Sequence, residues 1–144
     1  MSESKDLLSQ VELIEGERHT DSRGWLHVVL RRHHLPEEAT LGELYVVRSE
    51  APGVRRGDHF HPEANEWFSV IEGAASFELQ DPESGARRCI ELRATPAQTL
   101  RVPAGLAHAI VNLGPGSLTV IAWADKPHDP LDVVPWSTQA QESL

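Results

Sequence analysis

The chain has 144 residues, 40% of them apolar and 24% charged, with a formal net charge of −9 at pH 7. That length closes one hydrophobic core, and the ordinary composition argues against wholesale disorder. The negative balance argues against nucleic acid as a partner, because phosphate binding needs an excess of lysine and arginine.

In chain order, MSESKDLLSQ (1–10) is polar and lacks the apolar centre of a leader peptide, so a flexible N-terminal segment is expected. Residues 11–136 are expected to form the domain itself. Residues 18 to 56 hold seven of the thirteen basic side chains against five acids, which leaves the remainder strongly negative. Such an arginine cluster suits a small anionic ligand, since guanidinium pairs bidentately with phosphate. Short runs rich in valine and isoleucine then predict strands at 25–31, 42–48, 66–72, 74–80, 87–92, 98–103, 107–112 and 117–124. Residues 34–43 (HLPEEATLGE) read as a loop with one helical turn after Pro36. Glu72-Gly73 predicts a tight hairpin, and DPESG (81–85) and LGPGS (113–117) predict longer ones. The run from Leu118 to Ala124 is too short to cross a bilayer, so no membrane partner is expected. Residues 137–144 read as a flexible C-terminal tail. The lone Cys89 forms no internal disulfide, which suits the cytoplasm. Eight short strands with regular turns predict an all-β single domain, a barrel or jelly roll.

The chemistry concentrates in GDHFHPEANEW (57–67) and PAGLAHAIVN (103–112). Residues two apart on a strand share a face, so His59 and His61 converge on one point inside a barrel. Glu66 opens the next strand and returns towards them, and His108 follows a turn at Pro103 and Gly105. Imidazole and carboxylate together suit first-row divalent metals.

These residues resemble the two motifs of the cupin superfamily. Gly53, His59, His61, Glu66 and Gly73 fill every position of the first, and Pro103, Gly105, His108 and Asn112 fill the end of the second; Ala97 stands where the second usually opens with glycine. The resemblance implies a cupin jelly-roll β-barrel with His59, His61, Glu66 and His108 as metal ligands. TDSRGWLHV (20–28) and GVRRGDHFH (53–61) are similar to segments of nucleotide-sugar 3,5-epimerases, whose arginines hold a diphosphate; Arg23 and Arg56 inherit that role. NEWFSVIEG (65–73) and LTVIAWADKPHDP (118–130) resemble the C-terminal zinc cupin domain of capsular-polysaccharide epimerase/reductases. Those enzymes carry a histidine and a lysine where this chain has Pro62 and Ala64, and no reductase domain is expected within these 144 residues.

The resemblance implies an epimerase or ketoisomerase acting on a 4-keto nucleotide-linked sugar in surface polysaccharide biosynthesis, through a metal-stabilised enolate. Zinc is the expected ion, with manganese, iron or nickel as alternatives. Four ligands saturate tetrahedral zinc, so Glu66 is weakly held, the shell expands, or the ion is octahedral. A histidine whose lone pair binds metal cannot also be the base, so the candidate proton carriers are Asp58, Glu63 and His128, with Asp125 beside them. Metal-free epimerases use a tyrosine acid; Tyr45, the single tyrosine, is given no such place. Among the aromatic side chains, Trp123 is the candidate substrate contact. The rival readings are an iron-dependent cupin dioxygenase and a non-catalytic metal- and sugar-binding cupin. A homodimer is expected by resemblance.

Overall fold

The computed structural model describes residues 6–139. Its strands are β1 (Glu12–Glu15), β2 (Glu17–Asp21), β3 (Gly24–Val28), β4 (Glu43–Ser49), β5 (Arg55–Phe60), β6 (Glu66–Glu72), β7 (Ala74–Gln80), β8 (Arg87–Arg93), β9 (Gln98–Val102), β10 (Ala107–Asn112), β11 (Leu118–Ala124) and β12 (Val134–Pro135). One five-stranded sheet has the order β1-β9-β6-β11-β4 and the other β12-β5-β10-β7-β8; β2 and β3 form a separate hairpin. Every pairing is antiparallel. This is the all-β, single-domain cupin architecture.

Alternation along each strand explains where the core sits. Phe68 and Val70 of β6, Leu100 and Val102 of β9, and Leu118, Val120 and Ala122 of β11 face Ala75, Phe77 and Leu79 of β7, with Ile90, Leu92 and Ile110 behind them. Phe68 and Phe77 meet across the sheets with centroids 5.6 Å apart. This apolar cluster fills one part of the space between the sheets and leaves the other for polar side chains.

Three turns differ from expectation. DPESG does join a hairpin, β7 to β8, held by Asp81, whose carboxylate accepts from the Glu83 amide at 2.9 Å. Glu72-Gly73 instead carries the chain from one sheet to the other, since β6 and β7 do not pair; LGPGS does the same between β10 and β11. Gly73 is required at its corner: φ is +87°, and a Cβ would lie 2.4 Å from the Ser117 carbonyl oxygen. Asn112 organises the second corner, with Nδ2 donating to the carbonyls of Ala51 and Gly116, each at 3.0 Å. A 3-10 turn forms at Arg32–His34, and the turn after Pro36 is a single hydrogen-bonded one, the Ala39 amide donating to the Pro36 carbonyl at 3.0 Å.

The expected loose ends, 1–10 and 137–144, lie partly outside the described residues. Where described, they are packed. Leu7–Gln10 forms a 3-10 turn capped by Asp6, and its Leu7 and Leu8 lie against the core. At the other end Thr138 is fully buried and bonded to Asp58. Two apolar side chains in one case and a buried hydroxyl in the other fasten segments whose overall polarity reads as solvent-facing.

Candidate metal centre

The strand β5 lies in GVRRGDHFH, a stretch too charged to show a strand pattern, and its pairing with β10 aims the first histidine. His59 lies opposite His108 while Ala109 faces Gly57, which leaves Asp58 as an extra residue in the ladder. Gly57 and Asp58 adopt φ of +99° and +55°. Such a bulge re-aims the next side chain, and here it brings the His59 ring to 5.0 Å from that of His108. The Asp58 carboxylate is occupied elsewhere: its Oδ1 accepts from Arg55 Nη2 at 3.1 Å, and from the Thr138 amide and hydroxyl at 3.1 and 2.9 Å. Asp58 therefore anchors the bulge.

His61 follows β5. Its carbonyl accepts from the Gly105 amide at 2.8 Å, so the Pro103–Gly105 turn fixes its backbone. Its Nδ1 lies 2.8 Å from the Asp132 carbonyl oxygen, and His108 Nδ1 lies 3.2 Å from the Leu106 carbonyl oxygen. A carbonyl only accepts, so Nδ1 carries a proton in both rings, and in the neutral form of each ring Nε2 presents a lone pair. Glu66 opens β6 on the same inward face as Phe68 and Val70. Asn65 holds that strand end: its Nδ2 donates to Asp125 and its Oδ1 accepts from the Ala104 amide, each at 2.9 Å.

The four side chains meet. Ligand nitrogens of His59, His61 and His108 all lie within 4.8 Å of one another. Glu66 Oε1 sits 3.1 Å from His61 Nε2 and 3.4 Å from His108 Nε2. No aligned hydrogen bond reaches this buried oxygen. Where the rings are neutral, lone pairs facing one another at these distances repel unless a proton or a metal cation lies between them. The three histidines are placed so that they could bind a metal ion, and Glu66 stands beside two of them.

Protonation agrees with that placement. Burial, helped by the charges of His108 and His61, pushes His59 down to about 4. Burial also holds His108 below its ordinary value. At His61 the same burial penalty is outweighed by Glu66 and the Asp132 carbonyl, so its imidazolium is favoured. Burial would raise Glu66, but His61, His108 and Tyr45 together bring it down to about 2. The site thus combines an ionised carboxylate with two imidazoles kept neutral. Tyr45, raised by burial and then by the Glu66 charge, keeps its proton and donates it to Glu66 Oε2.

A cleft of about 580 Å³ opens onto His59, His61, Glu66 and Tyr45, with Lys126, His128 and Asp129 at its rim. A smaller cavity of about 150 Å³ lies between Arg56, His59, His108 and Phe68. Arg56 and His128 are therefore beside the cluster. Arg23 is not: it lies at the tip of the β2–β3 hairpin, 2.5 Å from Asp21, and lines neither cavity. Glu63 is exposed and paired with Lys126 at 3.3 Å, and Asp125 is taken up by Asn65. Trp123 has the outward parity of β11, opposite to Ala122 and Ala124. It stacks on Trp67 with centroids 4.4 Å apart and lines a separate apolar cavity of about 700 Å³ outside the barrel. The sequence reading assigned no place in the site to Tyr45, Asp132 or Lys126. Tyr45 was legible as an inward position of β4, two residues from Glu43 and Val47. Asp132 had no signal, because it acts on His61 through its backbone oxygen.

Two sheets closed around a histidine triad that could bind a metal define a cupin-like domain. Residues 19–133 match the model of the polysaccharide biosynthesis C-terminal domain, and the chain belongs to that family. A 78-residue stretch, 54% of the chain, is 35% identical to UDP-2-acetamido-2,6-beta-L-arabino-hexul-4-ose reductase of Pseudomonas aeruginosa, and spans 21% of that enzyme's length. Solved structures share the fold. A dTDP sugar isomerase from Desulfovibrio desulfuricans gives a TM-score of 0.79 at 22% identity, covering 90% of this chain and 85% of that one. The sugar 3,4-ketoisomerase QdtA from Thermoanaerobacterium thermosaccharolyticum, in complex with TDP, gives 0.73 at 20%, covering 88% of each. The capsular polysaccharide assembling protein CapF from Staphylococcus aureus gives 0.64 at 22%, covering 85% of this chain and 34% of its own. Among the described residues no helix is long and apolar enough to cross a membrane.

Proposed function

We propose that the protein is a metal-dependent epimerase or ketoisomerase acting on a 4-keto nucleotide-linked sugar in surface polysaccharide biosynthesis. The observation that carries this reading is the clustering of His59, His61 and His108, with Glu66 Oε1 beside His61 and His108, where an open cleft reaches His59, His61 and Glu66. Family membership and the sugar-modifying enzymes that share the fold support the substrate class.

The four side chains would hold a divalent ion, zinc foremost, with manganese, iron or nickel compatible with the same donors. Such an ion supplies a Lewis acid for the ketone oxygen beside the carbon that loses its proton. With their lone pairs committed, the ligand histidines are not the base. His128, on the cleft rim, is the proton carrier in this reading; Asp58 and Glu63 are engaged by Arg55 and Lys126. Arg56 and Lys126 supply positive charge for a diphosphate, whereas Arg23 and Trp123 stand apart from both cavities beside the cluster. Proton return to the opposite face gives epimerisation, and return at the neighbouring carbon moves the carbonyl. The reading includes a cytoplasmic homodimer, supported by the lone cysteine and by exposed Leu26, Leu41, Leu44 and Val46 on the outer surface.

The test is solvent deuterium incorporation into a 4-keto nucleotide sugar, followed by mass spectrometry. Incorporation is expected with metal-loaded protein, lost on chelation or in His108→Ala, and greatly slowed in His128→Ala. Tight sugar binding by metal-loaded protein without incorporation overturns the reading in favour of a binding module. Oxygen consumption by iron-loaded protein without sugar binding overturns it in favour of a dioxygenase.

A further inference from the structure

Tyr45 is the described residue whose placement the proposed chemistry leaves unexplained. It lies on β4, and Glu66 lies on β6, with β11 between them. Across β11 the rows run Glu43–Ala124–Glu66 and Tyr45–Ala122–Phe68, so Tyr45 must reach diagonally over the middle strand to touch Glu66. The two inward β11 residues beneath that path are alanines, buried to 0% and 4% exposure. Their short side chains leave the phenol room to cross, and its hydroxyl donates to Glu66 Oε2. The other oxygen, Oε1, is the one turned towards His61 and His108.

Tyr45 lines the cleft, and its hydroxyl is committed to Glu66. We propose that Tyr45 is a positioning residue that confines Glu66 to one-oxygen ligation and so keeps a coordination position free for substrate. The inference rests on the metal reading above. Carboxylates bind metals through one oxygen or two, and a partner on the outer oxygen decides between these modes. In this arrangement the number of open positions at the centre is set from β4, a strand that contributes no ligand.

The experiment titrates Co²⁺ into the full chain and follows both the visible spectrum and competition with a chelator. Tyr45→Phe keeps the ring and its packing. It is expected to change the Co²⁺ spectrum towards higher coordination and to shift affinity by about 10-fold or more. In a Glu66→Gln background, the same substitution is expected to change neither quantity further. Identical spectra and affinities for the wild type and Tyr45→Phe overturn the proposal and leave the metal reading intact. So does an equal effect of Tyr45→Phe with and without the Glu66 carboxylate, which marks a packing role. Wild-type protein that binds no Co²⁺ overturns both.

Discussion

Asp58 shows how a single residue can serve a site without touching its chemistry. Its backbone occupies left-handed space, which aspartate tolerates better than most residues, and its carboxylate ties Arg55 and Thr138 together. Arg55 in turn pairs with Glu78 at 2.8 Å, so a bridge from β5 through the C-terminal segment to β7 passes through this one side chain. Asp58→Ala removes the acceptor while Thr138 stays buried, and should lower unfolding stability by about 1–3 kcal/mol in urea titrations. Asp58→Asn, which keeps an acceptor and tolerates the same backbone, should cost less. Because the bulge aims His59, the alanine variant should also bind metal more weakly than the asparagine variant, as read by chelator competition.

Among the elements, the corners matter as much as the strands. β6 and β7 are consecutive yet belong to opposite sheets, and the turn between them closes the barrel wall beside the core. Gly73→Ala would force both a left-handed alanine and a close approach to the Ser117 carbonyl. A loss of about 1–3 kcal/mol is expected, measured by thermal or urea unfolding. The C-terminal segment is a second such element. β12 adds to the edge of β5, and Asp132 caps the amides of Glu63 and Ala64 at 2.9 and 3.2 Å while its carbonyl orients His61. A segment with two strand residues thereby fixes the loop between His61 and Glu66.

For the whole molecule, an ion held by the polar cluster would link stability to metal concentration. A metal that binds the folded chain alone should therefore raise its stability by mass action. At a free ion concentration near 100 times Kd the gain is about 2.7 kcal/mol, or roughly 5–10 °C in the thermal midpoint for a chain of this size. His108→Ala should abolish that increment, and chelation should reverse it in the wild type.

The strands of the core were readable in the chain because their apolar residues alternate over short windows, and period and β-branching are local properties. The clustering of the three histidines was readable for a related reason: His-x-His and a later Pro-x-Gly histidine keep their spacing along the sequence. β5 was only partly legible: the His-x-His pair implied a strand at 59–61, but RRGDHF carries no apolar pattern to mark its extent, and the strand runs from Arg55 to Phe60, held by β10 and β12. The hairpin expected at Glu72-Gly73 became a crossing between sheets because a glycine turn does not record which strand its successor will pair with. Trp123 and Arg23 were separated from the site by strand parity and by a hairpin tip, and Tyr45 was brought into it across β11. Composition and spacing determined an all-β domain and which histidines come together in it. Tertiary structure alone decided which neighbours orient that set, because contacts between residues distant in sequence arise only when the two sheets close.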